Sequence, residues 1–408
     1  LPNDRSSDRH RFGTAVHLLA VLLVAFLPAA GCDFDADPVA QRFERLAKSK
    51  GEILIGAAGS WEGAKPKKMW EGIQMAEDEI NAAGGVLGRR VRVLKEDDGG
   101  SLTQGKLVAQ RLADNPDVAA VIGHFYSFIS VQTAATYEFS GILMISPATT
   151  DPKITQQGFT RVFRTNPNNL DIGRVLAEYC SEKGYGKIAL CYVNNDYGRS
   201  LANAFEARTH ELGLDMLDSV PYSYGTANEF KMIIKKWQNM EIDAILLAGS
   251  MPEAANLIVW ARKLGLTQPI VAGTGLDSPD LVKAGAATEG TVFTSFFDID
   301  LATGEQANRL VADYKQRFGG RPDTWVVQGY DALHLLADAM NRAGSIVPDK
   351  VADTLRSMQG WKGVAGKLSF DSQGNPAGPI VVIKEVRGGK IGIVPGGIRE
   401  TVTSASQK

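Results

Sequence analysis

Cysteine is scarce here, with three residues in a chain of 408. That excludes a disulfide-stapled scaffold, and a chain of this length can build its cores without one. Histidine is scarce too: His10, His17, His124, His210 and His334 show no metal-ligand spacing. Charge of one sign is missing, since Lys+Arg 44 against Asp+Glu 46 leaves a net charge of -2, so no basic field exists to attract nucleic acid. Neither a GxxxxGK phosphate loop followed by Ser or Thr nor a GxSxG nucleophile elbow occurs. The longest apolar run, Thr14 to Leu27, is too short to span a bilayer comfortably. These absences remove the reacting groups an enzyme needs. The reading is a binding protein with no catalytic residue, no metal and no cofactor.

The start of the chain has a composition of its own. Arg5, Arg9, His10 and Arg11 precede the apolar run, which closes on Pro28-Ala29-Ala30-Gly31-Cys32. This is the layout of an export signal. Cys32 after Ala-Ala-Gly resembles a bacterial lipobox, in which the thiol is lipidated and becomes the mature N-terminus; the plainer alternative is an ordinary signal with a chance cysteine. Residues 33–50 are polar with weak helical character and read as a tether. Cys180 falls late in a helical pattern and Cys191 inside a strand, which reads as two buried thiols.

From Gly51 strand and helix alternate. Strands are expected at Ile53 to Ala58, Val91 to Leu94, Val118 to Ile122, Ile142 to Ile145, Ile188 to Val193, Ala244 to Ala248, Ile270-Val271 and Thr291 to Phe297. Helical patterns lie between them, and two long ones fit Glu305 to Phe318 and Trp325 to Ala343. Leu368 to Val394 reads as short strands and turns. Such alternation gives parallel sheets covered by helices on both faces, in two runs separated near Arg164 to Leu170. The most informative stretch is VIGHFYSFISVQTAATYEFSGILMISPATTDP, Val121 to Pro152. In it two successive strands end in small hydroxyl residues, at the sheet edge where open α/β folds bind ligands.

Several motifs then converge on one family. Ile122-Gly123-His124 with Ser127, GILMISPATTDP (Gly141 to Pro152), DEINAAGGVLG (Asp78 to Gly88), Asn195-Asp196-Tyr197-Gly198 and GTGLDSPDL (Gly273 to Leu281) together resemble the periplasmic leucine/isoleucine/valine-binding proteins of ABC transporters. The resemblance covers about Glu52 to Ile383. It implies a type I periplasmic binding fold: two doubly wound parallel-sheet α/β lobes joined by a multi-crossing hinge, with ligand trapped between them. The expected division is a lipoprotein signal peptide over 1–32, a tether over 33–50, an N-terminal lobe from 51–168 plus 299–377, a C-terminal lobe from 169–298 plus 378–400, and a tail over 401–408.

Ser127, at a helix N-terminus, can hold a carboxylate with its hydroxyl and the nearby N–H groups, or simply cap the helix. The resemblance assigns it to the ligand carboxylate, and matches Ala148 and Thr150 to positions whose carbonyl and hydroxyl meet the ligand. Tyr197 matches an aromatic that packs on ligand at closure, although surface packing would also explain it. Where amino-acid-binding members carry an acid facing the ligand ammonium, this chain has Thr274 between two glycines. Asp277 or Glu62 compensates, or the ligand carries no ammonium. Ser250 falls where the family has a tyrosine, leaving more room. Trp61 either lines the side-chain pocket or sits at the core edge. The family disulfide near the first-lobe cleft has no counterpart, since Phe125 and Tyr126 occupy that region, and packing is expected to replace it. Asp97-Asp98 reads as a solvated strand end and His124 as a hydrogen-bonded structural residue.

The expected function is an extracytoplasmic solute-binding lipoprotein, monomeric, anchored to the inner membrane by Cys32. It would deliver a branched-chain amino acid or related small carboxylate to an ABC permease. A ligand-sensing receptor of the same fold, or a protein for amides, urea or aromatic acids, is the alternative.

Overall fold

Residues 37–401 are described by a computed structural model; the expected signal segment, Cys32 and residues 402–408 lie outside the described residues. The first helix, α1 (Pro38–Lys48), is capped by Asp37, whose carboxylate accepts the Val39 N–H at 3.0 Å. It is not a tether. Arg42 is buried and its guanidinium donates to the carbonyls of Ala113, Asn115 (2.8 Å) and Val118 (2.9 Å). Leu46 is buried in the core with Phe43 packed against it, so Arg42, which composition counts as polar, docks the helix together with an apolar face.

The first sheet has the order β2-β1-β3-β4-β5 and is parallel throughout: β1 (Ile53–Gly59), β2 (Val91–Asp97), β3 (Val118–Gly123), β4 (Leu143–Ser146) and β5 (Val162–Arg164). Buried strands such as β3 and β4 are apolar along their length, as strands covered on both faces must be. Helices α2 (Ala64–Ala82), α3 (Leu102–Asp114) and α4 (Ser127–Phe139) make the crossovers. Because β1 lies between β2 and β3, the strand order reverses there, and the carboxyl ends of β1 and β3 flank a crevice.

The second sheet repeats the plan. Its parallel part contains β6 (Lys187–Val193), β7 (Asp215–Tyr222), β8 (Ala244–Ala248), β9 (Ile270–Ala272) and β10 (Val292–Ser295), with α5 (Asn169–Glu182), α6 (Asp196–Glu211), α7 (Ala227–Trp237) and α8 (Glu253–Lys263). Here β6 lies between β8 and β7, so a second reversal sits where those strands end. Sequence reading misses β7: an edge strand, it buries little and alternates half-buried with exposed residues.

After β10 the chain returns to the first sheet as α9 (Glu305–Phe318), α10 (Thr324–Ala343), α11 (Pro348–Ser357) and a small hairpin, β11 (Trp361–Gly363) with β12 (Gly366–Leu368). Helix α10 lies directly on α2: a Cβ added at Gly72 would stand 2.0 Å from the Val326 carbonyl oxygen, and one at Gly329 2.1 Å from that of Met69. The chain crosses once more into β13 (Ile380–Arg387) and β14 (Lys390–Glu400). Expected to be short, these are among the longest strands and add an antiparallel edge, giving the order β14-β13-β10-β9-β8-β6-β7. Three crossings, after β5, after β10 and before β13, thus join the lobes.

Candidate functional site

Both strand-order reversals open on one gap between the lobes. On the first side β3 ends at Gly123, whose φ of 136° is open to glycine, and where a Cβ would lie 2.0 Å from the Ala58 carbonyl oxygen. The chain then turns over His124, which is fully buried and spans Asp98 (2.7 Å) and the Tyr137 hydroxyl (2.9 Å). The expected structural role of His124 fits this geometry. Asp98 needs correction: it is fully buried, holding His124 with one carboxylate oxygen and the Gly100 N–H with the other at 2.9 Å.

Helix α4 starts immediately after this brace. Ile129 and Ser130 donate their N–H groups to the Tyr126 carbonyl, while the Ser127 and Phe128 amides take no acceptor from the preceding turn. Ser127 does not cap the helix with its side chain; its buried hydroxyl accepts the Thr150 N–H at 3.3 Å. The loop after β4 is fixed from behind, with the Thr149 hydroxyl donating to Ser130 (2.7 Å) and Asn166 donating to the Thr149 carbonyl (3.1 Å). The Thr150 hydroxyl, 2% exposed, has no hydrogen-bond partner. An orphaned buried hydroxyl costs about 1–3 kcal/mol, so it marks a place where a polar partner belongs.

The gap holds about 410 Å³ of space outside the atoms, part of it open to solvent. Lys65, Phe125, Tyr126, Ser127, Phe128, Ala148, Thr150 and Trp325 line it from the first lobe; Asn195, Tyr197, Ser250, Thr274 and Gly275 line it from the second. Of the residues expected from sequence, Ser127, Ala148, Thr150, Tyr197, Ser250 and Thr274 therefore meet at one cavity. Tyr197 stands as a fixed wall: its hydroxyl accepts the Gly275 N–H at 2.9 Å, and burial pushes its pKa up to about 12. Asn195 caps α6, its side-chain oxygen accepting the Gly198 N–H at 3.0 Å.

Three expected contributors lie elsewhere. Trp61 is a buried core-edge residue that donates its indole N–H to the Glu96 carbonyl at 2.7 Å and packs on Trp70 at 5.6 Å. The carboxylate of Asp277 turns away from the lining, accepts the Ser295 hydroxyl at 2.6 Å and faces Lys384 at 3.6 Å. Glu62 is exposed and does not border the cavity. No carboxylate lines the gap among the described residues.

Sequence reasoning missed Lys65 and Trp325. Lys65, 8% exposed, donates to the Gly275 carbonyl across the lobes at 2.8 Å and lies 5.1 Å from the Trp325 ring and 6.0 Å from that of Phe125. Burial lowers its pKa to about 8. Trp325 makes a second strap, its indole N–H reaching the Asp277 carbonyl at 2.7 Å. Phe125 packs on Tyr126 (5.3 Å) and Trp325 (4.8 Å), so aromatic contacts occupy the region where a disulfide was found wanting. The available signal for Lys65 was its position just past the end of β1, beside the first reversal.

Comparison with known proteins agrees with this geometry. A family model described as "Periplasmic binding protein" matches residues 54–390. Leu/Ile/Val-binding protein homolog 2 of Brucella abortus (strain 2308) is 30% identical over 349 residues, covering 84% of this chain and 93% of the relative. The chain is a periplasmic binding protein of the leucine/isoleucine/valine-binding family. Among solved structures, an ABC transporter substrate-binding protein from Desulfitobacterium hafniense in complex with Leu is 34% identical, with a TM-score of 0.74 over 84% of this chain and 100% of that one. A leucine-binding protein from Thermotoga maritima is 30% identical, with a TM-score of 0.79 over 84% and 98%. Like those relatives, this periplasmic binding protein has a solute-binding role and belongs to the periplasm.

Proposed function

We propose that this protein is the solute receptor of an ABC importer, held at the inner membrane by lipidated Cys32. It closes on a branched-chain amino acid or a related small carboxylate. The observation that carries the reading is the convergence, in one interlobe cavity, of the orphaned Thr150 hydroxyl with Ser127 and the open amides at the start of α4. Such a cluster is built for an oxyanion: hydroxyl and amide donors reinforced by roughly half a positive charge at the helix N-terminus. The aromatic walls take an apolar body, and their first-lobe origin lets ligand bind there before the second lobe shuts.

Closure is the signal a permease reads. Ligand contacts made by both lobes, through Ser127 and Thr150 on one side and Tyr197, Ser250 and Thr274 on the other, favour the shut form over the open one. A micromolar affinity needs roughly 8 kcal/mol, within reach of a few charge-assisted hydrogen bonds and apolar burial. Calorimetry on Ser127→Ala tests the reading: binding should weaken severely in a protein that still unfolds cooperatively. Unchanged affinity rejects it. Palmitate labelling of the expressed protein, lost in Cys32→Ser, tests the anchor.

A further inference from the structure

The carboxylate clamp uses one end of the cavity, and the charge at its other end has no role in that reading. Among the described residues Lys65 is the one formally charged side chain lining the gap, and it is a cation. One of its three N–H donors goes to the Gly275 carbonyl at 2.8 Å, and no carboxylate lies within ion-pair distance of it among the described residues. The acids that act on it do so from a distance and are engaged elsewhere: Asp277 by Ser295 and Lys384, Asp323 by the Trp325 and Val326 amides that it caps. Of the remaining titratable groups at the cavity, the Tyr126 and Tyr197 hydroxyls are both held neutral by burial. Lys65 thus brings to the ligand space a buried positive charge that Asp277 and Asp323 balance only from a distance.

Resting on the clamp reading, we infer that Lys65 is the specificity-determining residue of this cleft: it selects organic acids that lack an α-ammonium and carry a second oxygen acceptor, a second carboxylate above all. The physical reason is a sum of two costs. An α-ammonium entering here would be buried with no carboxylate to meet it and with a like charge in the same cavity. A second ligand carboxylate would instead take the two unused Lys65 donors and cancel the buried charge. The aromatic rings over Lys65 keep water from screening that interaction.

The test is a set of matched acids, each with its α-amino counterpart: glutarate and L-glutamate, 4-methylpentanoate and L-leucine, 3-phenylpropanoate and L-phenylalanine. Thermal shift and calorimetry are run on the intact protein and on Lys65→Met and Ser127→Ala. The expected result is that a deaminated acid binds more tightly than its amino partner and that the dicarboxylate leads the monocarboxylates. Lys65→Met should then weaken the dicarboxylate about 10- to 100-fold, the worth of one charge-assisted contact, and the monocarboxylates far less. An amino acid that binds as tightly as its deaminated partner, an undiminished dicarboxylate in Lys65→Met, or no binding by any member overturns the inference. The wild-type comparison decides even if the variant does not fold. If an amino acid binds and Ser127→Ala abolishes it, the clamp stands and the Lys65 assignment alone falls; if Ser127→Ala changes nothing, both fall.

Discussion

Replacing Thr150 by valine should move stability and affinity in opposite directions. The hydroxyl is buried, 2% exposed, and makes no hydrogen bond within the protein. Leaving it unpaired costs about 1–3 kcal/mol, whereas a methyl group of nearly the same shape has nothing to leave unpaired. Thr150→Val should therefore stabilise the ligand-free protein by about 1 kcal/mol, which for a chain of this size raises Tm by about 1–2 °C. The backbone N–H of residue 150 keeps its bond to Ser127, and its carbonyl keeps the Asn169 N–H at 2.7 Å, so the loop has no reason to move. In the liganded protein the same hydroxyl would donate to a carboxylate, a bond worth about 1.5–3 kcal/mol. Its loss weakens binding roughly 10- to 150-fold. Differential scanning calorimetry without ligand, and titration calorimetry with the best-binding acid, measure the two sides separately. A variant with lowered Tm and unchanged affinity would show the hydroxyl to be structural and not a ligand contact.

Burial lowers Lys65 to about 8 from the ordinary lysine value of 10.5, so between those limits the unfolded chain holds more protons than the folded one. Stability of the empty protein should accordingly rise with pH across that window, and urea unfolding of Lys65→Met should lose that slope. Affinity for a dicarboxylate should fall as pH passes about 8, where Lys65 gives up its proton. Arg42→Ala should destabilise the protein by about 2–3 kcal/mol in urea, by taking a charged donor from three carbonyls at the end of α3 and start of β3. Cys180 and Cys191 are free and buried, with burial raising both thiols, Cys180 to about 12. A thiol reagent should label neither until the protein is unfolded.

Where chemistry follows directly from local pattern, the chain is readable. Strand ends after β3 and β4 were visible as apolar runs broken by Gly123 and by Ser146-Pro147, and they deliver Ser127, Ala148 and Thr150 to the cavity. Tyr197, Ser250 and Thr274 follow β6, β8 and β9 in the same way. What stayed hidden depends on three-dimensional neighbours. Trp325 reaches the cleft on a helix that returns from the far end of the chain, and no local period announces such a return. Asp277 was a reasonable ammonium partner by position, but Ser295 and Lys384, distant in sequence, turn its carboxylate inward. The indole of Trp61 finds a carbonyl on β2, so its place is the core edge. Helix α1 sets Val39, Phe43 and Leu46 at helical spacing, with Leu46 buried in the core and Phe43 against it, and it is fixed further by carbonyls that only the folded first lobe presents to Arg42. Edge strand β7 lacks the apolar run that marks its buried neighbours.

A crystal structure of the protein with its best-binding acid would show directly whether the first lobe holds a carboxylate. The expected result is a carboxylate between the lobes with its oxygens about 2.7–3.2 Å from the Ser127 and Thr150 hydroxyls and the first amides of α4. A ligand whose carboxylate lies elsewhere, with the Thr150 hydroxyl still unpaired, would contradict it.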